Sequence, residues 1–252
     1  MTSTIAAVLN LTWCDAMTLQ DIYDQLAFGE LRQVSLGYGS IDANEDGMPV
    51  ESFMKLLPTV KLGLTELHKR FSLREGRMTV PLVENQVTYV LTKKKDAPDA
   101  FQDDLHKVER ILGKDEDGNP YEIPLNRMDD RSAIRTTSYN TLVVPTETEL
   151  AGWLNYTTEL EIVYRADHPA ISVPVANAAP LATEIHLPST HLEALLWYIA
   201  SRVHNPIGLT QEFHEGNNYA MKFENACQLL TTQNYEIDDD AVNFRVIDNG
   251  WR

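Results

Sequence analysis

Apolar and polar residues follow two different periods along this chain. From Thr18 the apolar positions Leu19, Ile22, Tyr23 and Leu26 return every three or four residues, which places them on one face of a helix. Thr18 with Asp21 three places on makes an N-terminal cap, and Gly29 suits a stop, so the pattern predicts a helix over residues 18–28. A longer stripe of Val50, Phe53, Leu57, Val60, Leu64, Leu67 and Phe71 predicts a second helix over residues 49–71. Pro58 lies within it. Lacking an amide proton and crowding the carbonyl one turn back, it should kink that helix or begin a new segment. Leu192, Leu195, Leu196, Ile199 and Val203 predict a third helix over residues 190–204, with Thr190 and Glu193 as a capping box and Asn205-Pro206 as its end. The fourth, over residues 211–232, carries Ala220, Phe223, Ala226, Cys227 and Leu230 on one face.

Between the second and third helices the period drops to two. Val87, Tyr89 and Leu91 alternate with other residues, as do Tyr121, Ile123 and Leu125, and Leu160, Ile162 and Tyr164. The cluster Asp115-Glu-Asp-Gly-Asn-Pro120 separates two such runs and reads as a turn. Together the patterns predict an α+β protein: an antiparallel four-helix bundle, a large β-rich domain inserted between helices two and three, and an extended C-terminal arm. The expected segments are an extension (1–16), the first part of the bundle (17–73), the inserted domain (74–187), the second part of the bundle (188–232) and the arm (233–252). In the arm, three aspartates at 238–240 precede an apolar cluster of Val242, Phe244, Val246, Ile247 and Trp251 that belongs to no helical stripe. Such a segment suits ordering on a partner.

Composition narrows the classes. With 252 residues, 43% hydrophobic and 23% charged, the chain can bury a sizeable core as an ordinary globular protein. A formal net charge of −16 argues against gripping nucleic acid through its phosphates, which takes surplus Lys and Arg, but leaves room for a wall along which DNA slides. Cys14 and Cys227 stand far apart, outside any Cys-rich or Cys/His motif, so neither a disulfide framework nor a zinc site is expected. No apolar run approaches the ~20 residues that span a bilayer. The opening "MTSTIAAVLNLTWC" lacks the basic start of a signal peptide.

The candidate chemistry is sparse. His191 and His204, on the third helix, are separated by roughly 20 Å of rise, too far to share one metal ion. The expectation for His191 is a surface or edge histidine. Asp42, Asn44, Asp46 and Gly47 mimic the start of a calcium loop, but Phe53 stands where the bidentate Glu is required and Glu51 comes two places early. His214-Glu215 lacks a second histidine at metalloprotease spacing, and Gly37-Tyr-Gly-Ser40 is neither a nucleophile elbow nor a dinucleotide fingerprint. Lys93, Lys94 and Lys95 form the only basic run and read as a solvated hairpin tip. Cys227 lies on an apolar helical face and reads as a packed thiol. Nothing unites a nucleophile, a base and an oxyanion donor, so no catalytic site, metal or cofactor is expected.

Several segments together resemble the head-to-tail adaptors of short-tailed bacteriophages, the tail tubular protein A class. The resemblance is carried by "MTLQDIYDQLAFGELRQVSLG" from Met17, "LLPTVKLGLTELHKRFSL" from Leu56, "IHLPSTHLEALLWYIASRVHNP" from Ile185 and "NNYAMKFENACQLL" from Asn217. It covers most of residues 17–232, strongly in the helices and weakly between them. It implies a structural virion protein at the head-tail interface, assembled in the host cytoplasm. Such proteins form a twelve-subunit ring under the portal and continue the DNA channel towards the tail nozzle. The implied partners are the portal protein, the nozzle protein, a tail fibre and further copies of the chain, with DNA passing unbound. The resemblance carries no catalytic residues. It implies that the arm, with Val242, Phe244, Val246, Ile247 and Trp251, reaches the portal. Alternatives are another phage connector or tail-completion ring or, in a different class, a metal-assisted hydrolase or a carbohydrate-binding module built on the β-rich part.

Overall fold

The structure is a computed structural model and describes residues 17–32, 50–92, 103–115, 117–146, 151–171, 183–204 and 210–233. These form helices α1 (Leu19–Phe28), α2 (Val50–Arg70), α3 (Ser189–Val203) and α4 (Thr210–Thr232). Between α2 and α3 run strands β1 (Glu75–Pro81), β2 (Thr88–Val90), β3 (Leu105–Lys114), β4 (Pro120–Ile123), β5 (Arg135–Ser138), β6 (Thr141–Val143) and β7 (Glu159–Ala166). The chain divides into two compact units, one of residues 1–59 and 170–224, the other of 60–169 and 225–252.

In the first unit α1 and α3 pack on one another. Thr18 and Asp21 cap α1 reciprocally, and the Gly29 amide closes it on Gln25 O at 2.8 Å. Leu19, Ile22 and Leu26 are fully buried, as are Leu195 and Ile199 of α3. The third helix departs from its expected start. It begins at Ser189 after Pro188, without a side-chain cap, and the Thr190 hydroxyl instead meets His191 Nδ1 at 3.0 Å. With the helix starting one residue early, Thr190 already lies in the first turn and cannot cap it.

The second unit is built on two antiparallel sheets, a four-stranded one of order β1-β7-β3-β4 and a three-stranded one of order β2-β6-β5. Both contribute to one apolar core that includes Met78, Tyr89, Val108, Ile111, Leu142 and Ile162. Of the three period-two runs read from sequence, Leu160, Ile162 and Tyr164 are all buried on β7, whose second half is buried on both faces. The β3–β4 turn is the one read from Asp115 to Pro120. Asp115 Oδ1 accepts from the amides of Asp117 and Asn119, and Gly118 takes a positive φ of 82°.

The helices do not make the expected four-helix bundle with an inserted β domain. Among the described helices only α1 and α3 share an extended contact. The boundary between the two units falls within α2, after Thr59, and within α4, after Glu224. One feature explains this. The second half of α2 buries Val60, Leu64, Leu67 and Phe71, and its residues bond to the strands of the second unit. Among the described side chains of α4, Phe223 and Leu230 are buried with Cys227, while Ala220 is exposed. Pro58 does not begin a new segment, since α2 runs through it as one helix. The side chains of Val50 and Phe53 lie outside the described part.

Candidate functional site

The richest assembly of ionisable groups in the described residues lies where α2 meets the four-stranded sheet. His68, near the end of α2, is fully buried because it shares the face of Leu64 and Phe71. His106 enters from the start of β3, Asp167 and His168 follow β7, and Arg74 and Asp104 lie just before β1 and β3. The second half of α2 and both sheets belong to the same unit, so these positions are set by one fold.

Asp167 is the hub. Its Oδ2 accepts from the Thr65 hydroxyl at 3.0 Å, and its Oδ1 accepts from the His168 amide at 2.7 Å. His106 Nε2 lies 3.4 Å from the same Oδ1, an ion-pair distance without hydrogen-bond alignment. Burial alone would raise the Asp167 carboxyl, but His106, the His168 amide and the Thr65 hydroxyl outweigh it and hold the group below its ordinary value. Arg74 Nη1 donates to Asp104 Oδ2 at 2.8 Å and to Asp167 O at 2.7 Å. The Tyr164 hydroxyl donates to the other Asp104 oxygen at 3.1 Å; burial, then the Asp104 charge, pushes that phenol up to about 12. A few residues along α2, Arg165 Nε donates to Glu109 Oε1 at 2.9 Å while its Nη1 reaches Lys69 O and Arg70 O, both at 3.2 Å. The guanidinium thus satisfies two carbonyls that the helix leaves open at its end.

Chemically this is a proton-accepting cluster tied to a helix terminus. Among the described residues no three His, Cys, Asp or Glu side chains are placed to hold a metal ion. A cavity of 430 Å³ in the same unit is lined by Leu82, Val83, Asn85, Tyr89, Val144 and Thr157 among others. Its one aromatic residue, Tyr89, is 5% exposed and its hydroxyl is bonded to the Val83 backbone, so it offers no stacking face to a sugar.

The residues singled out by sequence fall elsewhere. His191, expected at a surface, is buried, because the helix around it is apolar on more than one side. His204 is buried too; its Nε2–H donates to Glu30 O at 3.0 Å, and its ring stacks on Tyr219 at 5.2 Å. Both act within the first unit, as contacts of α3. Cys227 is buried on α4. Asp42, Asn44, Asp46 and Gly47, the Gly37–Ser40 stretch, Lys93 to Lys95, Cys14 and the arm with Val242, Phe244, Val246, Ile247 and Trp251 lie outside the described residues, as do the side chains of Glu51, His214 and Glu215. Sequence reasoning passed over His68, His106, Asp167 and His168. The one signal available was a histidine four places after Leu64, on an apolar face.

No protein-family model matches the chain, and no curated protein matches it either.

Proposed function

We propose that the chain is a structural virion protein, a head-to-tail adaptor that assembles as a ring between portal and tail nozzle and performs no catalysis. One observation carries the reading. The segments from Met17 and from Ile185, which hold the strongest likeness to such adaptors, meet in space although they lie far apart in sequence. Leu19 N donates to Thr183 O at 2.9 Å, Ile185 N donates to Met17 O at 2.8 Å, and Thr18 pairs with Glu184 as a β-bridge. Two likenesses read independently along the sequence therefore fall in one packed element pair.

Two further features support it. Phe28, Met221 and Leu229 are 64%, 65% and 60% exposed on their helices, apolar surface of the kind a neighbouring copy covers. The charge of −16 repels phosphates, which suits a channel through which DNA passes without lasting contacts. Repulsion between acidic copies is screened beyond about 8–10 Å at cellular salt, so apolar contacts can hold a ring together. The test is to substitute Met221 and Leu229 together by glutamate and follow assembly by light scattering. Loss of assembly with an unchanged melting temperature supports the reading. Assembly undiminished by both charges places the contacts elsewhere.

A further inference from the structure

His68 is the one fully buried histidine of this cluster. Leu64 O can only accept, so Nδ1, 2.8 Å from it, carries the ring proton, and the neutral imidazole presents a bare lone pair at Nε2. That nitrogen is shielded from solvent and has no hydrogen-bond partner among the described residues. The His168 ring stands edge-on to His68, with centroids 5.3 Å apart, and its Nδ1–H is directed to Pro169 O at 2.7 Å. A buried, unsatisfied acceptor costs stability while neutral, and protonating it would place an ion in the same interior.

Every element packed around this ring brings charge. Arg74 follows α2 itself, His106 and Glu109 lie on β3 with Asp104 just before it, Arg165 lies on β7, and Asp167 and His168 follow β7. Glu109 and Arg165 satisfy each other, which leaves the remaining groups to answer a new charge on His68. At neutral pH Arg74 is balanced by Asp104 and Asp167. A proton on His68 would add a second cation beside Arg74, on a fully buried ring that cannot reach water without moving.

We propose that this cluster is an acid-operated latch: proton uptake at His68 Nε2 releases the last turns of α2 from the four-stranded sheet, while the α1–α3 pairing is untouched. Burial holds the ring below its ordinary imidazole value; donation to Leu64 O and the Asp167 charge offset part of this, and His106 and Arg74 add to it. A base whose folded value lies below its unfolded value binds protons more readily once released. The latch is therefore fully stable above the unfolded value of 6.5 and weakens as pH falls below it. A single coupled proton makes local opening up to about tenfold more frequent per pH unit in that window. The device stands independently of the ring assembly.

Hydrogen exchange on the full chain tests it, read between pH 7.5 and 5 and corrected for intrinsic exchange. Amides of residues 64–71 should exchange about tenfold faster or more at pH 5 than at pH 6.5, while those of Leu195 to Ile199 in α3 keep their protection. In His68→Asn, whose amide still donates to Leu64 O but carries no titrating ring, the acceleration should be largely lost. Equal protection of residues 64–71 at both pH values in the native chain overturns the proposal, and so does an undiminished acceleration in His68→Asn. Should that variant not fold, the ring resonance of His68 in the native chain decides. Resistance to titration until residues 64–71 open supports the latch; titration at an ordinary value with those residues still protected refutes it.

Discussion

Arg165 is the residue on which the junction between α2 and the sheet most depends. Its side chain is 7% exposed and its partner Glu109 21%, so truncating either strands a charge in a poorly solvated place. Arg165→Met keeps most of the length but abandons Glu109 and the carbonyls of Lys69 and Arg70. It should cost about 3–5 kcal/mol in urea unfolding at neutral pH. Glu109→Gln, which leaves an amide oxygen for Arg165, should cost less, and equal losses would show that packing rather than pairing dominates. Gly76 is a second single-residue dependence. It pairs with Tyr164 across β1 and β7, and a Cβ there would come 2.3 Å from the tyrosine Cζ. That ring is pinned by Asp104, so Gly76→Ala should destabilise by about 1–3 kcal/mol through overpacking, readable as a lowered urea midpoint. Neither dependence was legible in sequence. Arg165 and Glu109 are each one of several charged residues in their strands, and only pairing across strands singles them out.

At the scale of elements, local chemistry was legible and long-range partnership was not. The Thr18–Asp21 cap and the Gly29 stop involve residues a few places apart, and both occur as read. Thr18→Ala should cost about 1 kcal/mol, measured by thermal or urea unfolding. The Thr18 hydroxyl, then its amide, hold the Asp21 carboxyl below the ordinary value of 3.8. The cap's stability is thus present above that pH and lost as pH falls through the lower folded value; Asp21→Asn should remove this acid-dependent part. For α3 the heptad-like stripe was right but the cap was not, because Pro188 permits a start one residue early. Leu195, 0% exposed, should cost about 2–5 kcal/mol on truncation to Ala, against a small effect at exposed Leu229. The bundle failed for a physical reason: an apolar face states that something covers it, not what. The face of α2 beyond Pro58 is spent on the second unit, and the unit boundary divides α4 after Glu224.

For the whole molecule, charge and surface bear on function more than any site does. The polar cluster is proton chemistry at a helix end; the proposed ring-forming role rests instead on the likeness of the helical segments and on the apolar side chains exposed on α1 and α4. The arm is the proposed portal contact. Deleting residues 236–252, and with them Val242, Phe244, Val246, Ile247 and Trp251, should abolish binding to portal-bearing heads while leaving the melting temperature nearly unchanged, because apolar anchors repeated around a ring act by multivalency. Surviving attachment would place the portal contact elsewhere, and unfolding would make the arm part of a core. The most direct measurement is an electron-microscope image of the purified chain mixed with its portal. The account predicts a closed ring of about twelve copies stacked coaxially on the portal, with an open channel through both. Monomers that leave the portal bare, at concentrations where portal rings are intact, would contradict it.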